Sequence, residues 1–454
     1  MQFKAHLLSL WESVRASYWF VPSTMSIAAV ALSFIMVRID RTVPSEWLEA
    51  FPWLYTGTAS GARTLLATIA SSMIGLAGVV FSITIVALTL ASGQFGARLL
   101  RNFMRDAGNQ ITLGTFLAAF VYCLLVLRQV QDSADENGSS FVPQLAMLFA
   151  VVMAVAGLGV LIYFIHHTAA SIQAPNIIAA VSRELHDAID GLYPEKLGDR
   201  PESADMTQAA VRAQIPANLD EGSAEVLAGL EGYLQRIEPE QLMSLAQAHD
   251  LIVRMEHRPG QFLQSDDVVL HVWPAERVEA AVLESLQNTF AISDQRSLAQ
   301  DAEFAVEQLV EVAVRALSPG INDPFTAMQC VDRLGAALSE VATRVLPSPY
   351  RMDDQGRLRV VAYPKDFGNF LDVSFNQLRQ YAAGSLDVLL RMLETFERIA
   401  KHVSGRNDRE HLLEHVKMIY EAAIAAAEAE SDRRKVESCH LQVQKALGRI
   451  EKPS

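Results

Sequence analysis

Residues 64–97 read TLLATIASSMIGLAGVVFSITIVALTLASGQFGA, thirty-four positions without a charged side chain. A hydrocarbon core about 30 Å thick needs roughly 20 apolar residues as helix. Wholly helical, this run would be roughly 50 Å long. Outward from it lie three more uncharged apolar stretches, at 20–37, 111–127 and 142–165. Two of the four, counting 64–91 for the first, exceed the required length and two fall slightly short, within the usual range. The pattern predicts an integral membrane protein with four spans in its first 165 residues and a polar remainder.

The charge divides along the same line. Of 38 basic and 52 acidic residues, nine and eight lie in 1–167, which leaves 29 and 44 in the rest, a net of −15. An acidic domain of this kind does not invite nucleic acid, whose phosphates ask for a basic stripe. It also stands off anionic lipid. Three cysteines, Cys123, Cys330 and Cys439, have no metal-type spacing and fit a reducing compartment. The first stretch is a poor signal peptide. Its 19-residue leader holds Trp11, Glu12 and Trp19, and no small-x-small site precedes Arg38-Ile39-Asp40-Arg41.

Orientation follows from the loops. The second connection carries Arg98, Arg101 and Arg105 against Asp106, and the third carries Asp132, Asp135 and Glu136. The positive loop is expected in the cytoplasm of a bacterial inner membrane, with both termini and the large polar domain. The first outer loop objects, since it holds Arg38, Arg41 and Arg63; its Trp47, Trp53 and Tyr55 read as interfacial anchors.

Residues 1–19 place Phe3, Leu7, Leu10, Trp11, Val14 and Tyr18 at spacings of three and four. That is an amphipathic helix, lying in the interface or packing on the bundle. The second span is rich in small residues, with Ser71 and Gly75, and Gly78 and Ser82, at four-residue spacing. Small residues let helix backbones approach in lipid. The span therefore reads either as a helix at the bundle centre or as one that lines a pore or a subunit contact. Beyond it, Arg98, Arg101 and Arg105 fall within about 60° on a helical wheel. That stripe reflects topology, or else a mouth that gathers anions, lipid phosphates or acidic partners. No Asp, Glu, Lys or Arg sits at mid-membrane depth, which argues against a proton relay. His166 and His167 are adjacent and point apart.

The polar half starts with a helix and linker, 168–222. A small β-containing unit follows at 223–275, with strands near 232–237, 251–256 and 268–273, a helix at 239–249 and an Arg258-Pro259-Gly260 turn. The order resembles half of a biotinyl/lipoyl-type barrel, but no lysine lies between Asp220 and Trp273, so no swinging arm is possible. Residues 276–454 read as helical: 299–317, a stop at Ser318-Pro319-Gly320, a restart at Asp323-Pro324, then 373–403, 410–430 and 433–450, with a polar insertion at 347–366. The fold class is thus mainly α: a four-helix transmembrane bundle at 20–167, a small half-barrel-like β unit and a helical C-terminal region.

Several stretches carry a resemblance. They include Trp19-Phe20-Val21-Pro22, Ser72-Met73-Ile74-Gly75, Phe81-Ser82-Ile83-Thr84, Gln94-Phe95, Arg98-Leu99-Leu100-Arg101-Asn102-Phe103 and Phe120-Val121-Tyr122-Cys123. Tyr163-Phe164-Ile165-His166-His167, Gln300-Asp301 and Ala316-Leu317-Ser318-Pro319-Gly320-Ile321-Asn322-Asp323-Pro324 extend it. The chain resembles, over nearly its whole length, a bacterial "predicted membrane protein" family of unknown function. It departs at Glu231, where the family often has Ser, and at Gln295-Arg296-Ser297 in place of Glu-Arg-Thr. The resemblance implies four spans and supplies no reaction.

The candidate chemistry is sparse. Arg296, Gln300, Asp301, Arg315, Asn322 and Asp323 bracket one helix-loop-helix, as capping and ion pairs or as a ligand pocket. His411-Leu412-Leu413-Glu414-His415 has the letters of an inverted zinc-protease motif on an exposed-looking charged helix with little scaffold behind it. No phosphate-binding glycine loop, kinase set, paired cysteines or nucleophile elbow occurs, so no enzyme activity and no cofactor or metal are expected. The leading expectation is a homo-oligomeric, channel-like pore in the lipid bilayer, gated by its cytoplasmic domain. The alternative is a non-conducting sensor or scaffold that binds a partner, an unknown ion or a small ligand.

Overall fold

The computed structural model describes residues 18–42, 58–96, 98, 104, 106–131, 141–193, 212, 214–344 and 347–448. They form two compact units, divided between Asn176 and Ile177. The expected helix at 1–17, the anchors Trp47, Trp53 and Tyr55, and most of the linker lie outside the described residues.

The first unit is built from α1 (Phe20–Thr42), α2 (Ala59–Phe95), α3 (Ala107–Leu127) and α4 (Gln144–Ser171). All four are long and apolar enough to cross a membrane. The helix at the centre is α3. Its most apolar window is 56% buried, against 22% for each of the others, and it packs against α1, α2 and α4. Phe116, Tyr122, Cys123 and Val126 on it are fully buried. The placing of α2 at the bundle centre, one of its two readings, is therefore not what forms. Helix α1 crosses α3 at Gly114, where a Cβ would meet the Met25 sulfur at 2.5 Å and the Pro22 backbone at 3.2 Å. A larger residue there would have to displace the Met25 side chain and crowd the Pro22 backbone.

Two acids close the bundle ends. Pro143, which starts α4, offers no side-chain cap. Asp40 at the end of α1 supplies it, accepting from Leu145 N at 2.8 Å and Ala146 N at 2.9 Å. At the other end Asp106 caps α3, accepting from Asn109 N at 3.0 Å. Two of the basic residues that flank the first connection also find partners. Arg41 donates to Gln129 at 3.3 Å and lies over the Phe141 ring, and Arg63 donates to the Val130 carbonyl at 3.0 Å.

The second unit begins within α5 (Ala174–Leu192), which buries Ile177, Ile178, Val181, Leu185 and Ile189 along one face. Then come β1 (Ala224–Leu227), β2 (Gly232–Ile237), α6 (Pro239–Ala248), β3 (Ile252–Met255), β4 (Phe262–Leu263), β5 (Val268–Trp273), α7 (Ala280–Gln287) and β6 (Phe290–Ser293). The helical part follows as α8 (Ala302–Ala316) and α9 (Pro324–Thr343). It is interrupted by β7 (Tyr350–Met352) and β8 (Leu358–Val361), and resumes as α10 (Phe367–Tyr381), α11 (Leu386–Ala400), α12 (Arg406–Ala426) and α13 (Glu430–Gly448). One sheet has the order β1-β5-β3-β8-β7, parallel only between β3 and β8; the other has the order β4-β2-β6.

Residues 276–454 are thus not wholly helical, as the sequence suggested. The 347–366 insertion gives β7 and β8, and β6 completes the second sheet on β2. All four residues of β8 are buried, Arg359 included. A run buried on both sides has no alternation, so periodicity does not reveal it. The expected helix at 373–403 is two, broken by a 3-10 turn at Ala382–Gly384. The core of the helical part joins Phe367, Phe370, Phe375 and Phe396, with Phe375 and Phe396 ring to ring at 4.8 Å.

Candidate functional site

The second span shows two opposed faces. Ala62, Leu66, Met73, Ala77, Val80, Ala87 and Ala91 are buried against the rest of the bundle. Thr64, Thr68, Ser71, Gly75, Gly78, Ser82, Ile85 and Thr89 are all exposed. Their spacing alternates four and three. At about 100° per residue they occupy an arc of roughly 100°, centred opposite the buried face. Seven of the eight are Gly, Ser or Thr. The hydroxyls are quiet: Thr64, Thr68, Ser82 and Thr89 each donate to the carbonyl four residues earlier, at 2.7–2.9 Å. A Cβ added at Gly75 or Gly78 would meet nothing within 4 Å. Thr64, Ala67, Thr68, Ser71 and Ser72 line a shallow, open depression on this side. Of the basic stripe, Arg98 is exposed; Arg101 and Arg105 lie outside the described residues.

In the second unit the six candidate polar residues form two groups at opposite ends of α8, a helix about 22 Å long. At its start, Arg296 binds Asp301 at 2.7 Å and both oxygens of Glu307 at 2.7 Å, and lies over the Phe304 ring. Lys365 reaches Asp301 at 3.4 Å and also pairs with Glu303. Gln300 accepts from Ile237 N and donates to Ile237 O, both at 2.9 Å, so it clips α8 to β2. Burial works against the Arg296 charge, but Glu307 and Asp301 outweigh it and raise the guanidinium above its ordinary value. Gly260 is fixed here by geometry: its φ is +93°, and a Cβ would stand 2.1 Å from Asp301 Oδ2.

At the far end, Arg315 pairs with Glu311 at 3.2 Å. Asp323 caps α9, accepting from Thr326 N at 3.1 Å and from its hydroxyl at 2.6 Å. Asn322 takes a left-handed φ of 51° in the turn. Ile321 and Phe325 beside it are exposed, Phe325 at 72%. His415 is buried and bonds Asp372 at 2.9 Å, while His411 packs at Gly368. The two do not face a common ligand, and among the described residues no cluster of three metal-ligating side chains occurs.

Sequence reasoning missed three polar centres. Asp106 binds His167 Nε2 through both oxygens, at 2.8 and 3.0 Å. Asp40 caps a helix 105 residues away. Arg359, buried in β8, pairs with Asp353 at 2.9 Å and Asp250 at 2.8 Å. The only available signal was Asp106 standing just before an apolar run, the position of an N-cap.

Residues 15–398 match the family described as "Predicted membrane protein (DUF2254)". An uncharacterized protein of Mycobacterium bovis is 31% identical over 438 residues, which cover 94% of this chain and 80% of that protein. An uncharacterized protein of Mycobacterium tuberculosis stands at the same values. No solved structure matches the chain significantly.

Proposed function

The chain belongs to the DUF2254 family of predicted membrane proteins, and on that premise we propose that it is a homo-oligomeric, channel-like pore of the bacterial inner membrane. The cytoplasmic domain would gate it. One observation carries the reading: the most polar face of α2 points away from its own bundle. A lipid-facing surface gains nothing from Gly, Ser and Thr, whereas a helix-helix seam or a water-filled lumen does. The four-three alternation is that of a heptad, so copies of α2 would cross at a shallow left-handed angle of about 20°. The flanks of the seam, Ile74 and Phe81 on one side and Val79 and Leu90 on the other, are exposed and apolar, as lipid or a neighbouring bundle requires. The arginines that follow α2, set against the acids of the connection at the opposite end, support an orientation with the arginine end, both termini and the second unit in the cytoplasm.

Recordings from reconstituted protein test this. Ser71→Leu, Gly75→Leu and Ser82→Leu should each change conductance or abolish it; three unaltered currents would remove the proposal. A second reading, a non-conducting sensor or scaffold that binds through its cytoplasmic domain, is favoured by the exposed Ile321 and Phe325 at the α8–α9 turn. It is tested by Phe325→Ala. Asp323 is unsuitable, since it holds the start of α9. A partner that binds wild type and Phe325→Ala alike would argue against that surface.

A further inference from the structure

Three arginines of the second unit close on two aspartates. Asp250 stands in the turn between α6 and β3, Arg277 in the 3-10 turn Ala275–Arg277 after β5, and Asp353, Arg357 and Arg359 in the β7–β8 hairpin. Asp353 is buried. Its Oδ2 accepts from Arg357 Nε at 3.0 Å and from Arg359 Nε at 2.9 Å. Its Oδ1 accepts from the backbone N–H groups of Gln355 and Arg357. Asp250 Oδ1 takes Arg359 Nη1 at 2.8 Å, with Arg357 Nη1 at 3.9 Å, and Asp250 Oδ2 takes Arg277 Nη1 at 2.6 Å. One exposed carboxylate thus gathers three guanidiniums.

The charges here are fixed. Arginine does not lose its proton in proteins. The bonds from Arg359 and Arg277 hold the Asp250 carboxyl below its ordinary value. Burial works against the Asp353 charge, but the N–H donors of Arg357, Arg359 and Gln355 outweigh it and hold that carboxyl at about 2. Three positive charges therefore face two negative ones. Asp354 and Glu276, exposed and adjacent in sequence, pair with none of the three arginines among the described residues. Donors also outnumber acceptors. Arg359 is buried and joins the hairpin to the α6–β3 turn, yet its Nη2 has no partner. Arg277 and Arg357 are half-exposed. Arg277 is held through Nη1, on the carboxylate and the carbonyl of Asp250, and Arg357 through Nε on Asp353. The Nη2 of each makes no hydrogen bond among the described residues. Guanidiniums fixed on one edge lose little freedom when another edge binds. A carboxylate fills one such fork, whereas a phosphate has oxygens for two.

We propose that Arg277 and Arg357 bind a phosphate group, free or as the monoester of a small molecule, with Arg359, Asp250 and Asp353 holding them in position. The site lies wholly in the second unit and is independent of whether the protein conducts.

The test is calorimetric titration of the detergent-purified full chain at pH 7.5 with sodium phosphate and with glycerol 3-phosphate, in a constant excess of sodium chloride. Saturable binding of phosphate alone identifies the free ion; binding of glycerol 3-phosphate, with or without phosphate, identifies the group on a carrier. Arg277→Gln and Arg357→Gln should each weaken binding by about tenfold or more, since each removes charge-assisted hydrogen bonds. Arg357→Lys, which keeps the charge and loses the fork, should fall between. Arg236→Gln, on the other sheet and paired with Glu238, should leave binding unchanged. Thermal unfolding gives a second reading, because a ligand of the folded state raises the midpoint: phosphate should raise it in wild type and not in Arg277→Gln. Should a glutamine variant fail to fold, the lysine variants carry the same test. No saturable binding of either compound overturns the proposal. So does binding that is equal in wild type, Arg277→Gln and Arg357→Gln, which would leave the arginines as braces of the hairpin and the phosphate as an ion drawn to the surface at large.

Discussion

Replacing Gly75 and Gly78 together by leucine separates the stability of one chain from that of its assembly. Within the chain the change meets no obstacle, since no atom lies within 4 Å of either new Cβ. Leucine is also the better helix former, by about 0.8–1 kcal/mol per site. The unit should therefore unfold at the same midpoint or a higher one. Between chains the outcome reverses. Helix axes pack 8–10 Å apart according to the side chains at the contact, and leucine forces the wide end of that range. With about 1 kcal/mol lost per glycine, two per contact give about 2 kcal/mol, or roughly 30-fold weaker association at each interface. A ring of four or more should fall to smaller species on dilution. Native mass spectrometry over a concentration series reads the subunit count, and unfolding followed in parallel reads the chain. Val79→Leu, on the apolar flank, serves as the control that should move neither. If the double variant keeps the wild-type subunit count, the seam does not join copies of the chain. If instead its midpoint drops with its helix content, the face is not open in the single chain.

Three further substitutions probe the rest of the molecule. Gly260→Ala forces a side chain into a left-handed backbone and onto Asp301, loosening the buried Arg296–Asp301–Lys365 cluster; a loss of about 3 kcal/mol or more is expected in denaturant unfolding, and an unchanged midpoint would refute the geometry. Asp40→Ala strips two N–H groups of their acceptor, about 2–4 kcal/mol in all; Asp40→Asn should recover part of it in detergent–SDS unfolding, and equal midpoints for wild type and Asp40→Ala would dismiss the cap. His415 is buried and neutral: burial lowers its pKa, and the Asp372 bond opposes this without overcoming it. Its contribution to stability is present above the free-imidazole value of about 6.5 and is lost as pH falls through the depressed folded value, by at most about 1.4 kcal/mol per pH unit. His415→Phe should flatten stability between pH 7 and 5, and a slope equal to wild type would contradict the assignment.

The spans were legible because lipid imposes a length and a composition that few other structures share, and 64–97 meets both without ambiguity. The start of α9 was equally plain, since Asp323 followed by Pro324 is a cap and a first-turn residue in the right order. What stayed hidden depended on partners far along the chain. Leu358 to Val361 is a four-residue buried strand whose neighbour β3 lies more than a hundred residues earlier, and nothing local marks it. Asp40 looked like part of a charged stop at the end of the first span; its partners, Leu145 and Ala146, are apolar in sequence and act through their backbone. The six polar candidates around α8 were adjacent in sequence but stand at opposite ends of a rigid helix, so they make two small arrangements and no common pocket.

The central position of α3 bears on how the bundle is made. A ribosome delivers α1 and α2 first, yet these two helices share little of their length; Phe81 of α2 meets Trp19, just before α1, and both helices take their main packing from α3. Each is self-sufficient in its backbone hydrogen bonds and can wait in the bilayer alone. Assembly then begins with the third segment, which gathers the two already inserted, and ends with the fourth, whose first turn is met by a carboxylate synthesised about a hundred residues before it. A nascent chain arrested after its second segment would hold two unassociated helices, and one arrested after the third would already hold the centre of the finished bundle.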